Sequence, residues 1–372
     1  MFMSLIKDWE RRLAKWLQAK RYDYTPDPCP VESIRTAVIF IPRLIGDTLA
    51  AFPIMRALQV YGVEHIIIVA SHQNAMIFDP IIEQSKETAN NGKQSNITLY
   101  TIPPLKERDL RAIRKVAKAI NRAHGRIDLC IDASIKNGRP TALFVSTLQA
   151  RNNLQISHSS LRCYAPVCAH ASQLYEEDVS LPLCWSSLMK DAGIADVPAR
   201  FEIPLPDTIE DDVVQWLNSH RREGNAAYGV INLDGSQPSR QIGLDTAKMI
   251  IQQLWQHYRL PMIVVCSPAG EEKATMLTRR SSHVSLPELP RSIHHSAALI
   301  KHSAFVITPD TAILHIASAF DRPTIGIYRE YKGHWIPTGE PHAIIITDGP
   351  VDNLSQTQLE AAINRIPRSS LL

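Results

Sequence analysis

The sequence predicts an α/β protein of two domains, each built on a parallel sheet with helices on both faces. Three observations predict it. Unbroken apolar runs such as 37–41 suit strands that are covered on both faces. Such runs alternate with helix-length segments, the pattern of βαβ units. The alternation occurs twice, once in each half of a 372-residue chain that is too long for one typical core.

The elements follow in order. Residues 4–20 repeat Leu5, Ile6, Trp9, Leu13, Trp16 and Leu17 at three- and four-residue steps, with basic residues opposite. This amphipathic helix suits either a membrane interface or packing on its own domain. Pro26, Pro28 and Pro30 end it and form a stiff connector. Strands are expected at 37–41, 65–70, 97–101 and 129–132, with helices at 48–60 and 107–123. Residues 150–205, rich in Ser, Pro and Cys, give no clear pattern and could supply acceptor-binding loops. Pro198, Pro204 and Pro206 mark a linker. The second alternation has strands at 228–233, 262–266, 303–308 and 323–328, and helices at 245–257 and 310–320.

Composition narrows the function classes. The net charge of +3 argues against a dedicated nucleic-acid binder. Residues 1–21 hold Lys7, Arg11, Arg12, Lys15, Lys20 and Arg21 against Asp8 and Glu10. That is +4 in the segment and −1 in the remainder. The cysteines form no CxxC pair and match no zinc spacing, so reduced thiols in a cytoplasmic protein are expected. No apolar run is long enough to cross a bilayer, and the N-terminus does not read as a signal peptide. Glu176-Glu177-Asp178 and Asp211-Asp212 read as solvated surface. His294 and His295 are adjacent, which directs them apart. No metal site is expected.

Two strand-to-helix junctions can carry chemistry, because ligands in open parallel sheets bind at the carboxyl ends of strands. In the first, Arg43-Leu44-Ile45-Gly46-Asp47, Gly46 allows a tight turn and Asp47 stands at the helix start. Asp47 is there either a cap or a functional carboxylate. In the second, Asp310-Thr311-Ala312-Ile313-Leu314-His315, small residues let a ligand approach the first helical turn. The free amides there would hold a phosphate. Asp310 could equally be a cap, and His315 a buried core residue. His334-Trp335 follows in a loop that either lines the site or lies on the surface.

Gly46-Asp47, with Leu49 and Pro53, resembles the N-terminal signature of glycosyltransferase family 9. Thr308-Pro309-Asp310-Thr311-Ala312-Ile313-Leu314-His315, continued by Ala317 and Pro323, is similar to its C-terminal signature. Within the family the nearest likeness is to lipopolysaccharide core heptosyltransferases. The resemblance implies the GT-B fold, two Rossmann-like domains with parallel sheets facing across a cleft. After the helix and connector at 1–33, it implies an acceptor domain at 34–205 and a nucleotide-sugar domain at 206–372. The last helix is free to pack back on the first domain.

The implied reaction is inverting transfer, without metal or cofactor, of heptose from ADP-heptose to the lipopolysaccharide inner core. Asp47 matches the proposed base, and Arg43 and Gly46 fall at the acceptor side. Asp310, Thr311, Ala312, Ile313 and His315 match donor positions, although Ala312 replaces a frequent glycine. Arg240, with Ser236 nearby, stands where relatives direct a cation at the diphosphate. Ile242-Gly243 replaces their usual aromatic residue and proline. The implied partners are the nucleotide sugar and the core acceptor; the helix pattern at 4–20 leaves contact with the cytoplasmic face of the inner membrane as the alternative to packing on the protein. Another nucleotide-sugar donor fits the same pattern. A nicotinamide oxidoreductase fits poorly, because neither half has G-x-G-x-x-G after its first strand. A non-catalytic glycan binder is the remaining alternative.

Overall fold

The computed structural model describes residues 20–88, 95–135, 138–157, 161–220 and 227–371. Apart from Lys20, the expected interfacial helix at 4–20 lies outside these residues. Packing divides the chain into two compact units, Met1–Ala199 and Arg200–Leu372.

The first unit holds a five-stranded parallel sheet. Its strands are β1 (Thr36–Ile41), β2 (His65–Ser71), β3 (Asn96–Ile102), β4 (Leu129–Asp132) and β5 (Asn152–Gln155), in the order β3-β2-β1-β4-β5. Its helices are α1 (Ile45–Ala50), α2 (Phe52–Tyr61), α3 (Asp79–Thr88), α4 (Leu110–His124), α5 (Arg139–Leu148), α6 (Cys168–Glu176) and α7 (Leu181–Asp191). Successive strand side chains point to opposite faces. Val38, Phe40, Ile67 and Val69 pack with Ile113, Ala117 and Ile120 of α4 and with Leu143 and Phe144 of α5. The rings of Phe40 and Phe144 stack with centroids 4.0 Å apart. Ala37, Ile39 and Ile41, pointing the other way, are equally buried. Burial on both faces is why the strand reads as one apolar run.

The helix expected at 48–60 is two helices. α1 begins at Ile45, and the chain breaks at Ala51. Pro53 explains the break: without an N–H it would interrupt a continuous helix, but it fits the first turn of α2. The helix expected from 107 starts later because Asp109 caps it, accepting from the N–H groups of Arg111 and Ala112. The unpatterned stretch after 150 contains β5, α6 and α7. β5 escapes an apolar search because its buried residues include Asn153 and Gln155.

The second unit holds a six-stranded parallel sheet in the order β11-β10-β9-β6-β7-β8. The strands are β6 (Gly229–Asn232), β7 (Met262–Val265), β8 (Val284–Ser285), β9 (Phe305–Pro309), β10 (Thr324–Tyr328) and β11 (His342–Ile346). The helices are α8 (Asp207–His220), α9 (Leu244–Tyr258), α10 (Glu271–Arg280), α11 (Ile293–Lys301), α12 (Ala312–Ala319) and α13 (Gln356–Ile363). Ile231, Val264, Ile307 and Ile325 form one core with Ile251 and Leu254 of α9. α13 adds Leu359, Ala362 and Ile363 to this same core, and the Tyr258 hydroxyl meets the Ile363 carbonyl at 3.0 Å. The last helix therefore packs within its own unit. Phe201 belongs here too, because its ring stacks on His315 at 4.5 Å. No helix among the described residues is long and apolar enough to cross a membrane.

Candidate active site

Each sheet has one point where strand order reverses, and crevices open at the carboxyl ends of strands there. In the first unit, β1 connects outward to β2 while its other neighbour, β4, connects outward to β5. The reversal lies between β1 and β4. The loop after β1 brings Arg43, Gly46 and Asp47 to that point, and β4 ends there with Asp132.

Asp47 lies in the first turn of α1 and is 5% exposed. One carboxylate oxygen, Oδ2, accepts from the Leu44 N–H at 3.2 Å, and Oδ1 faces Arg43 Nη2 at 3.3 Å. The residue does cap the helix, as one sequence reading had it, yet capping uses only one oxygen. The loop is anchored from behind. Ser71 Oγ donates to the Arg43 carbonyl at 3.1 Å, and Asn74 Nδ2 donates to the Ile41 carbonyl at 2.8 Å and to Thr48 Oγ1 at 2.6 Å. These ties hold the carboxylate in one position.

Asp132 is a second carboxylate at this edge, 2% exposed, which the sequence reading treated only as the end of a strand. The Tyr164 hydroxyl donates to its Oδ2 at 2.8 Å, and the Ser134 N–H donates to Oδ1 at 3.1 Å. Burial raises its pKa, opposed by these hydrogen bonds and by the positive charge of Arg43. Arg43 thus acts on both carboxylates, and its buried Nε has no partner among the described residues. The available signal was an acidic residue closing an apolar strand beside a junction. Ser71 and Asn74 carried none beyond an ordinary polar turn.

In the second unit the reversal lies between β6 and β9. Asn232 ends β6 and ties the two strand ends together. Its Nδ2 lies 3.0 Å from Thr308 Oγ1 and 3.1 Å from Thr311 Oγ1, and its Oδ1 accepts from the Asp234 N–H at 3.0 Å. Thr311 is the N-cap of α12 but makes no side-chain cap bond, since its hydroxyl is turned to Asn232 and Thr308. The amides of Ala312 and Ile313, in the first helical turn, have no partner within the helix. They and the helix dipole form a place for an anion.

Arg240 reaches the same point, its Nη1 3.3 Å from Asp310 Oδ2. Burial raises the pKa of Asp310, and the charges of Arg240 and Lys332 hold it down. Arg240 is partly exposed, so it retains access to solvent and to a ligand. Its loop folds tightly, since a Cβ on Gly235 would run into the Arg240 carbonyl. Ser236 is exposed on this loop. Ile242 is buried and its N–H donates to the Leu233 carbonyl at 3.1 Å, so this sequence closes the loop without an aromatic residue and proline.

His315 is 3% exposed, between Phe201 and the Trp335 ring at 5.2 Å. Burial lowers its pKa to about 3, so at neutral pH it is an uncharged aromatic, not a cation for a phosphate. Its Nδ1 has no partner among the described residues. His294 and His295 are both buried on α11, and His295 Nδ1 bonds Ser292 Oγ at 2.7 Å. Among the described residues no three His, Cys, Asp or Glu side chains are grouped to hold a metal.

The family model for glycosyltransferase family 9 (heptosyltransferase) matches residues 231–360, which include the whole second-unit crevice. The chain is 32% identical over 235 residues to the uncharacterized protein YeeL of Escherichia coli K12, covering 63% of this chain and 94% of YeeL. Two solved structures resemble it in fold. One is the family 9 glycosyl transferase of Veillonella parvula DSM 2008, with a TM-score of 0.67 and 13% identity over 92% of this chain and 98% of that one. The other is the Escherichia coli heptosyltransferase WaaC with ADP, with a TM-score of 0.61 and 15% identity over 88% of this chain and 99% of that one.

Proposed function

Because the chain belongs to glycosyltransferase family 9, we propose that it is an inverting, metal-independent heptosyltransferase acting on the lipopolysaccharide inner core. Its donor is ADP-heptose. The observation that carries this reading is Asp47, a carboxylate fixed at a strand-order reversal by Leu44 N–H and Arg43. A second reversal in the same chain supports it by offering a cation and open helix amides suited to a diphosphate.

The chemistry is one displacement. An acceptor hydroxyl gives its proton to the Asp47 carboxylate as its oxygen attacks the anomeric carbon from the face opposite the leaving group. The bond from that carbon to the diphosphate oxygen breaks, and ADP departs with the bonding pair. A single displacement inverts the anomeric centre, so one base suffices. Arg43 keeps Asp47 oriented and is suited to acceptor phosphate. The charge growing on the leaving diphosphate falls to Arg240 and the amides of Thr311, Ala312 and Ile313, which do the work of a metal. Asp310 holds Arg240 in place, and Ser236 lies on the same loop. Neutral His315 shapes the wall behind α12. The enzyme works on the cytoplasmic side of the inner membrane, where the six free, buried thiols suit a reducing compartment.

The test is transfer itself. The purified protein is incubated with ADP-heptose and heptose-deficient lipopolysaccharide in the presence of a chelator. The expected product carries one added heptose with inverted anomeric configuration, at a rate the chelator does not change. Transfer from UDP- or GDP-sugars but not from ADP-heptose would overturn the donor assignment.

A further inference from the structure

The strongest unexplained feature lies on α4. Its inner face, Ile113, Ala117 and Ile120, is buried in the core of the first unit. Its outer face presents Arg111, Arg114, Lys115, Lys118 and Arg122, all exposed. Their spacing places them on one stripe, about 16 Å long at helical rise. The stripe borders a groove of about 460 Å³ whose other walls include Arg21, Tyr22 and Arg139. Arg139 Nε donates to the Tyr22 hydroxyl at 3.1 Å, and the Arg21 guanidinium lies 5.6 Å from the Tyr22 ring centre. Seven cations and no carboxylate line this groove.

Elsewhere in the first unit, Arg35 pairs with Glu64, Arg126 with Asp27 and Arg162 with Asp23. Among the described residues none of the five cations on α4 has an acidic partner. Like charges three and four residues apart on a helix repel. A stripe with five of them and no compensating acid is therefore arranged for an external anion. The helix itself does not need them, since Asp109 and the buried face already fix it.

We propose that this groove is a docking face for the anionic headgroups of a phospholipid bilayer. Two features select that occupant. The stripe is about 16 Å long and its five cations are all exposed, so it meets several phosphates in a plane better than one compact ligand. Arg21, which lines the groove, also ends the sequence segment 1–21, which carries +4 of net charge and two tryptophans, Trp9 and Trp16. Cations beside aromatic residues are the composition of an interfacial surface. The inference does not depend on the identity of the donor sugar or of the acceptor.

The experiment uses the full chain and sedimentation with vesicles. One set contains phosphatidylcholine alone, the other equal parts phosphatidylcholine and phosphatidylglycerol. Wild type is expected to sediment with the anionic vesicles only, and to be released by salt. The variant Arg114→Gln/Lys115→Gln/Lys118→Gln is expected to lose anionic-vesicle partitioning on the order of 100-fold. The charge-matched control Lys248→Gln/Arg279→Gln/Arg280→Gln, exposed in the second unit, is expected to change it only slightly. An unchanged melting temperature shows that the α4 variant is folded. Wild-type sedimentation by that variant would overturn the proposal, as would equal loss in the control. So would preferential capture of the wild type by RNA at equal phosphate concentration.

Discussion

At the scale of single residues, burial decides what each side chain of the two crevices can do. Arg240 is partly exposed and pairs with Asp310, so it is poised to meet an incoming anion. Arg240→Ala removes a charge-assisted contact and is expected to weaken ADP binding roughly 10- to 100-fold, measured by calorimetry. His315 behaves oppositely. Its pKa is lowered to about 3 by burial, against 6.5 for an exposed histidine. Between those values the unfolded chain binds a proton that the folded chain refuses. The stability that neutral His315 contributes is therefore full above pH 6.5 and is lost as pH falls toward 3. The melting temperature is expected to drop between pH 7 and pH 5, and to drop less in His315→Phe. His294 and His295, also lowered by burial, keep part of the slope in both proteins. Asp47 was legible in the sequence because a glycine and a carboxylate opening a helix form a local pattern. Asp132 was not, because its partners Tyr164 and Arg43 lie far along the chain on either side.

At the scale of elements, two glycines separate binding from stability. A Cβ on Gly235 would meet the Arg240 backbone, so Gly235→Ala is expected to displace the loop that carries Arg240. ADP affinity should fall while the melting temperature changes little. A Cβ on Gly229 in β6 would lie 2.5 Å from the Phe305 ring and 2.7 Å from Met262 Sδ, inside the core. Gly229→Ala is expected to cost about 1–3 kcal/mol by overpacking, seen as a lower denaturation midpoint. If Gly235→Ala instead left ADP affinity intact, the loop would not be part of the donor site. Strands such as 129–132 could be read from the sequence to the residue because burial on both faces leaves an unbroken apolar run. β5 could not, since Asn153 Nδ2 donates to the Tyr24 hydroxyl and the Cys163 carbonyl, groups that no local pattern reveals. The break at Ala51 was signalled by Pro53, but its position depends on how α1 starts.

At the scale of the whole molecule, the double alternation of strands and helices was enough to give two α/β units. It could not give strand order, because order is set by long-range pairing such as Val38 beside both Ile67 and Cys130. That order turns two ordinary junctions into crevices, each with its own set of polar groups. The central claim is that the first crevice supplies the base and the second holds the nucleotide. Each should therefore fail separately. The most direct measurement compares wild type with Asp47→Ala for heptose transfer and for stabilisation by ADP in a thermal shift. The expected result is transfer reduced by about 10²–10⁴-fold with the ADP-induced shift retained. Transfer at the wild-type rate by Asp47→Ala, in a protein that still binds ADP, would contradict it.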